Sequence, residues 1–139
     1  MDKAYVLDTS AIFTYIEEED GQDKIEDILR LGHKNKCQIY LSFASLAEIY
    51  YISWQEKSED AAKELVVLVK SLPIQIIDSN ERITLSAGRL KALHRISLAD
   101  AFVAATAIDM AAVLVHKDPE LEVISKYIKI FSLPYKTRK

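Results

Sequence analysis

The sequence has few of the residues that break, bend or cross-link a polypeptide. It contains one cysteine, Cys37, and only three glycines and three prolines, which are scattered along its 139 residues. A single cysteine excludes an intramolecular disulfide and a cysteine-based zinc cluster, and it favours a reducing compartment. The scattered glycines and prolines mark no linker, repeat or low-complexity segment. A chain of this length without a linker predicts one domain that spans residues 1–139.

The sequence also has little net charge and no long apolar run. The 18 Lys and Arg residues against 21 Asp and Glu residues give a formal net charge of -3, which does not by itself indicate a nucleic-acid partner. No run approaches the roughly 20 apolar residues that span a bilayer, and no signal-type apolar segment precedes the first strand pattern. We therefore expect a cytoplasmic protein without a membrane partner. Any phosphate-containing ligand must be held by a local patch or a metal ion.

Apolar residues alternate between strand-like and helix-like patterns along the whole chain. Short apolar runs predict strands at residues 4–7, 38–42, 74–78, 112–116 and 128–133. Helical spacing predicts helices at residues 10–18, 23–31, 58–71, 80–93, 99–112 and 120–126, with another that begins at Ser45. Gly32 is predicted to end the helix at 23–31. Strands separated by helices pair in parallel through right-handed crossovers, which predicts an α/β helix–sheet–helix sandwich with a mainly parallel sheet.

Four acidic residues interrupt apolar surroundings in this pattern. Asp8 and Asp118 each follow a predicted strand, whereas Glu48 and Asp100 lie near predicted helix starts. The carboxyl ends of parallel strands meet at one edge of a sheet, where open α/β folds bind their ligands. We therefore expect all four carboxylates to face one crevice.

A structural interpretation of these acids stays open. The two helix acids lie three residues after Ser45 and Ser97, which is the capping-box spacing. The two strand-end acids fit N-caps or Asx turns. The apolar neighbours of Glu48 and Asp100 favour a place in the crevice over a capping role. In contrast, Asp109 lies nine residues after Asp100, on roughly the opposite helix face, and is predicted to be a surface charge. The same prediction covers other acids: Glu59, Asp60, Glu120 and Glu122.

Clustered carboxylates favour a hard divalent ion. Like charges at close range raise one another's pKa, and a cation relieves that repulsion. A ligand set made only of oxygens indicates Mg²⁺ or Mn²⁺. The sequence has no His-Glu-x-x-His motif and no glycine-rich phosphate loop, which argues against a metallopeptidase and against the usual nucleotide-cofactor folds. Two alternatives remain: a Mg²⁺-dependent phosphatase or phosphoacceptor domain in which Asp8 is phosphorylated, and a non-catalytic interaction module.

Four segments carry a family resemblance that covers nearly the whole chain. They are Leu7-Asp8-Thr9-Ser10, the helical Glu48, Leu98-Ala99-Asp100-Ala101-Phe102-Val103-Ala104-Ala105-Thr106-Ala107, and Val113-Leu114-Val115-His116-Lys117-Asp118. Together they resemble PIN-domain ribonucleases of the VapC type, the toxins of toxin–antitoxin pairs. The resemblance implies a parallel sheet of about five strands between helices and a Mg²⁺- or Mn²⁺-dependent cut of RNA. It also implies a homodimer and neutralisation by a cognate antitoxin protein.

The same resemblance implies roles for particular residues. Asp8, Glu48, Asp100 and Asp118 match the acidic cluster, and Ser10 matches an accessory hydroxyl. Our hypothesis is that Asp8 and Asp100 bind the metal directly, while Glu48 and Asp118 act through water or a second ion. The cut would leave a 5′ phosphate.

The sequence departs from the family pattern at two positions. His116 stands where such toxins usually have threonine or serine, and Ala111 replaces a usual glycine. The first departure puts in doubt how the loop that carries Asp118 is braced. Basic residues gather at 89–95 and 136–139, where a solvated helix face and a terminal tail are the simplest interpretations.

Overall fold

The computed structural model describes residues 3–135, so the basic tail at 136–139 lies outside the described residues. The elements, in chain order, are β1 (Ala4–Leu7), α1 (Thr9–Ile16), α2 (Gln22–His33), β2 (Gln38–Ser42), α3 (Phe43–Glu56), α4 (Glu59–Ser71), β3 (Gln75–Ile77), α5 (Glu81–Leu93), α6 (Leu98–Asp109), β4 (Val113–His116), a 3₁₀ helix (Pro119–Lys126) and β5 (Ile130–Ser132). Within residues 3–135, no helix has the length and apolar character needed to cross a bilayer.

The five strands form one parallel sheet in the order β3-β2-β1-β4-β5. The central strand β1 lies between β2 and β4, and Leu7 at its end is in register with Val115 of β4. Helices cover both faces of the sheet. The predicted α/β sandwich with a parallel sheet is therefore confirmed.

Alternation along the strands divides the core between the two faces. Tyr5 and Leu7 of β1 pack with α1, α2 and α3, whereas Val6 between them packs with α5 and α6. Helix α6 can lie close to the sheet because four of its fully buried side chains are the small ones of alanine. These are Ala101, Ala104, Ala105 and Ala107. This close packing holds the start of α6 at the edge of the sheet where β1 and β4 end.

The predicted helix boundaries at Gly32 and Ser45 are wrong, and the helix predicted at residues 99–112 ends at Asp109. Helix α2 continues through Gly32 to His33, and Asn35 rather than the glycine takes the left-handed conformation, with φ 56°. A Cβ on Gly32 would lie 2.6 Å from Ile39 Cδ1, so the glycine allows close packing. Helix α3 begins at Phe43 instead of Ser45, because the last residue of β2, Ser42, is its N-cap and accepts a hydrogen bond from the Ala44 N–H at 3.1 Å.

Candidate active site

Asp8 lies at the carboxyl end of β1 and caps the N-terminus of α1. Its N–H donates to the Val115 carbonyl of β4 at 3.0 Å, which ties the residue to the neighbouring strand. Its side chain is almost fully buried, with 2% of its surface exposed. Oδ2 accepts hydrogen bonds from Ser10, whereas Oδ1 receives none from any residue in 3–135. One carboxylate oxygen is therefore buried, unpartnered and available for a ligand.

Ser10 joins Asp8 to the segment that carries Asp118. Its hydroxyl donates to Asp8 Oδ2 at 2.6 Å and accepts from the Lys117 N–H at 2.8 Å. Ser10 and Lys117 are 107 residues apart in the sequence. Ser10 thus fixes the spacing between two strand ends, which is a structural basis for the predicted accessory role.

Glu48 enters the site from the second turn of α3. Because α3 begins at Phe43, the Ser45-x-x-Glu48 spacing does not form a capping box. The half-buried carboxylate instead accepts a hydrogen bond from the Thr9 hydroxyl at 2.8 Å. Thr9 was not predicted to have a role. The only sequence signal for it was a second hydroxyl residue directly beside Asp8.

Asp100 lies in the first turn of α6, three residues after its cap. Its N–H donates to the Ser97 hydroxyl at 3.1 Å, so this half of the predicted capping box is present. The residue is only 8% exposed, and one of its carboxylate oxygens lies within 4.8 Å of a carboxylate oxygen of Asp118. Asp100 therefore caps its helix through the backbone while its carboxyl group takes part in the acidic cluster.

Asp118 caps the 3₁₀ helix that follows β4. Its N–H donates to His116 Nδ1 at 3.0 Å, and its Oδ1 accepts from the Glu120 N–H at 3.0 Å. This turn also brings the exposed carboxylate of Glu120 to the site. One carboxylate oxygen from each of Asp100, Asp118 and Glu120 can be chosen so that all three lie within 4.8 Å of one another. Glu120 is exposed, as expected of a surface charge, but its place beside the cluster was missed.

Asp109 behaves as a surface charge, as its position on α6 predicted. It forms a bidentate ion pair with the guanidinium of Arg82 on α5, with Oδ2 3.1 Å from Nη2. Arg82 lowers the pKa of Asp109 below its usual range. Asp109 is thus a matched comparison for Asp100, since both lie on one helix in opposite electrostatic surroundings.

Three carboxyl groups of the site, those of Asp8, Glu48 and Asp100, have raised pKa values. Burial raises the pKa of Asp100 to about 8, with further contributions from Asp8, Asp118 and Glu48. Burial also raises the pKa of Asp8, against the lowering effect of the Ser10 hydrogen bonds. The pKa of Glu48 is raised by burial and then by Asp8 and Asp118. The four predicted acids, which come from four separate parts of the chain, are therefore close enough to affect one another's charge. Among residues 3–135, however, the carboxylate oxygens that lie within 4.8 Å of one another belong to Asp100, Asp118 and Glu120, and this group does not include Asp8 or Glu48.

No basic side chain offsets this concentration of acid. None of the influences on the pKa values of Asp8, Glu48 and Asp100 comes from a Lys or Arg within the described part of the chain. The nearly buried ammonium of Lys117 lies 3.5 Å from Glu19 instead. Oxygen-only donors, raised pKa values and the unpartnered Asp8 Oδ1 together fit a hard divalent cation.

A model of the PIN domain family matches residues 5–127 of the chain. The chain belongs to the PIN-domain family. The matched segment includes every acid of the site together with Ser10 and Thr9. The family resemblance of the sequence motifs is thereby confirmed.

Solved structures of toxin–antitoxin proteins share this fold. VapBC2 from Rickettsia felis, bound to a DNA fragment from its promoter, is similar with a TM-score of 0.76 at 21% identity, over 94% of this PIN domain's chain and 99% of that chain. DNA-bound VapBC from Salmonella typhimurium gives 0.73 at 19% identity, over 95% and 98%. VapC20 from Mycobacterium tuberculosis, a sarcin-ricin loop cleaving toxin, gives 0.68 at 14%, over 90% and 97%. No curated protein sequence matches the chain.

Proposed function

We propose that this PIN domain is an endoribonuclease that needs a divalent metal ion, Mg²⁺ or Mn²⁺, and acts as the toxin of a toxin–antitoxin pair. The observation that carries the proposal is the proximity of Asp8, Glu48, Asp100 and Asp118, with no Lys or Arg of residues 3–135 among the influences on the pKa values of the first three. Such a site holds protons on its carboxyl groups in the absence of a cation, and releases them when a cation binds.

The residues of the site divide into those that hold the ion and those that hold the ligands in place. Asp8 and Asp100 would bind the ion directly, since Asp8 Oδ1 is buried without a hydrogen-bond partner among residues 3–135 and Asp100 has a carboxylate oxygen within 4.8 Å of those of Asp118 and Glu120. Glu48 and Asp118 would act through water or a second ion. Ser10 orients Asp8, and Thr9 orients Glu48.

The proposed reaction is hydrolysis of an RNA phosphodiester by in-line attack of water on phosphorus. A hard divalent ion makes bound water more acidic and stabilises charge on the departing oxygen. The new bond joins the water oxygen to phosphorus, and the bond from phosphorus to the 3′ oxygen breaks. The 3′ oxygen leaves with a proton, so the products carry a 5′ phosphate and a 3′ hydroxyl.

We further propose an antitoxin partner and a homodimer. The packed helices α3 and α4 carry four large apolar side chains that are exposed, which supports an interaction surface on these helices. They are Tyr51, Trp54, Val67 and Leu68. Light scattering of Trp54→Arg against the parent protein tests the homodimer. If Trp54→Arg has the same mass as the parent, the exposed apolar surface of α3 and α4 is not the homodimer interface.

Incubation of the purified protein with total cellular RNA tests the activity. We expect cleavage with Mg²⁺ or Mn²⁺, none with EDTA, and 5′ phosphates at the mapped ends. Asp100→Asn should lower the rate at least about 100-fold, because the buried cluster loses a direct ligand. The matched control is Asp109→Asn, which removes a carboxylate from the same helix and costs at most a surface ion pair. Equal rates for the folded Asp100→Asn protein and its parent would overturn the assignment.

The same preparations separate the two alternative functions. A phosphatase or phosphoacceptor domain would form an adduct on Asp8 that hydroxylamine removes. A non-catalytic module would release almost no heat when titrated with Mg²⁺ or Mn²⁺.

A further inference from the structure

A groove lies beside the carboxylate cluster, at the end of α5 and the start of α6. Its volume is about 680 Å³, within the range of about 300–1,000 Å³ that is usual for ligand sites. Residues 91–97 and Glu120 line it, and we call it the α5–α6 groove. Ser97 caps the helix that carries Asp100, and Glu120 lies with Asp100 and Asp118. The groove therefore adjoins the site where the scissile phosphate would lie.

Two exposed cations of the groove have no acidic partner. Neither Lys91 nor Arg95 forms an ion pair with any residue from 3 to 135, whereas Arg82 pairs with Asp109 and Lys117 with Glu19. A solvated helix face, the simplest interpretation of this basic stretch, does not explain why both cations line a groove next to the acids. Unpaired cations in that place attract the phosphates that flank a bound phosphodiester.

Aromatic surface lies beside the two cations. His94 lines the groove, and its Nε2 is 2.6 Å from the hydroxyl of Tyr127. The two rings meet edge to face, with centroids 5.7 Å apart, and Tyr127 is 42% exposed. Exposed rings next to cations are the combination that binds single-stranded nucleic acid, because unpaired bases stack on the rings while the backbone follows the charges.

We propose that the α5–α6 groove binds single-stranded RNA next to the bond that is cut. Lys91 and Arg95 contact backbone phosphates, and the His94–Tyr127 pair offers a stacking surface to one base. The proposal rests on the ribonuclease function and adds the surface and the residues that hold the RNA beside the cut bond. Stacking on this surface requires an unpaired segment, since the bases of a duplex are already stacked on one another.

The charge contribution is tested with a matched pair of double variants. Lys91→Ala with Arg95→Ala removes the groove cations, and Lys34→Ala with Lys36→Ala removes two exposed cations just before β2, at the opposite edge of the sheet. Affinity for a short fluorescein-labelled oligouridylate is measured in EDTA as salt is varied, and KM is measured in Mg²⁺. We expect the groove variant to lower the salt slope, which is the fall in log affinity with log salt concentration, by about 1.4. Between 0.1 M and 1 M salt, the affinity of the parent would then fall about 25-fold more than that of the groove variant. Its KM should rise with kcat retained, and the control should match the parent.

The aromatic contribution has a different signature. His94→Ala and Tyr127→Leu should each weaken oligouridylate binding by about fivefold or more with an unchanged salt slope, because stacking does not release counterions. A fully paired RNA duplex should compete poorly with the oligouridylate for the parent protein.

The outcomes distinguish this proposal from the function on which it rests. If the parent protein neither binds nor cleaves RNA, both are overturned. If it cleaves RNA but the groove variant keeps the parental KM and salt slope, only the groove assignment is wrong. If the groove variant binds RNA as tightly as the parent but has a different oligomeric mass, the groove is a protein–protein contact instead.

Discussion

The Asp118 N–H donates a hydrogen bond to Nδ1 of His116, two residues earlier, at 3.0 Å. A serine or threonine hydroxyl can make the same contact to the N–H two residues on, so the imidazole takes over the bracing that the family pattern assigns to a hydroxyl. Burial lowers the pKa of His116, which keeps the ring neutral, as an accepting Nδ1 requires. Nε2 faces the other way, 3.4 Å from the Ser132 hydroxyl and 3.6 Å from Glu122 Oε1. His116 is therefore a positioning residue for the Asp118 loop.

Replacement of His116 separates this bracing from simple packing. His116→Ala leaves a cavity and an unsatisfied N–H, and should lower the free energy of unfolding by about 2–4 kcal/mol. His116→Asn also loses volume, but its side-chain oxygen can accept from the residue two positions on. We expect His116→Asn to need less Mg²⁺ for half-maximal cleavage than His116→Ala and a third variant, His116→Leu, neither of which can accept a hydrogen bond from the Asp118 N–H. Equal Mg²⁺ requirements in all three would reduce His116 to a packing role.

The hydroxyl of Thr9 supports a second prediction. It donates to Glu48 Oε1 and holds a half-buried carboxylate whose pKa is raised by burial. Thr9→Val keeps the shape of the side chain but removes the donor, so cleavage should fall by about 10-fold. Thr9→Ser keeps the donor and should retain most of the activity. Initial rates at saturating Mg²⁺, with melting temperatures as a folding control, decide between loss of orientation and loss of stability.

The sequence alone was sufficient to predict the parallel sheet and to single out the four acids, but not the strand order, which the structure supplies. Asp8 and Asp118 follow buried strands that are neighbours in a parallel sheet, so their proximity follows from topology. Glu48 and Asp100 were identified because a charge among apolar residues needs a partner or a site. These inferences depend on the periodicity of apolar residues and on where the acids lie relative to them, both of which can be read directly from the sequence.

Other parts of the site depend on local geometry that residue types do not record. Glu120 reaches the cluster because a tight 3₁₀ turn after Asp118 folds its side chain back, whereas its spacing is that of an ordinary surface acid. The start of α3 was misplaced because Ser42 is both the end of a strand and a helix cap. The bracing by His116 was not predicted, since it depends on which ring nitrogen faces the loop.

Two opposite substitutions should both stabilise the domain. Ala111 follows α6 with φ 50°, a left-handed conformation that glycine adopts without strain, so Ala111→Gly should add about 0.5–1 kcal/mol. Gly88 lies inside α5, and a Cβ there would meet nothing within 4 Å. Gly88→Ala should therefore add up to about 1 kcal/mol through helix propensity. Chemical denaturation measures both, and RNA cleavage should be unchanged. Destabilisation by Ala111→Gly would contradict the backbone conformation at that turn.

The raised pKa values predict how pH affects the metal-free protein. The pKa of Asp100 is about 8 in the folded state against a usual value of 3.8, so the folded state holds a proton that the unfolded chain releases. Stability must then fall as pH rises from about 4 to 8, by at most about 1.4 kcal/mol per pH unit for one carboxyl group, or about 4 °C in Tm. Asp8 and Glu48 shift in the same direction.

Bound Mg²⁺ should reverse this trend, because the cation replaces the protons that the cluster holds. We expect the rise in Tm on addition of Mg²⁺ to be larger at pH 8 than at pH 6 in the parent protein. Asp100→Asn removes one of the groups whose pKa is raised, so in EDTA its Tm should decline less with pH, and Mg²⁺ should raise it less at pH 8. Asp109→Asn removes a carboxylate that is paired with Arg82 and lies outside the acidic cluster, so this variant should behave as the parent does. Calorimetric scans in EDTA and in Mg²⁺ give both quantities, and a Mg²⁺ effect independent of pH would show that the cluster is not protonated before the ion binds.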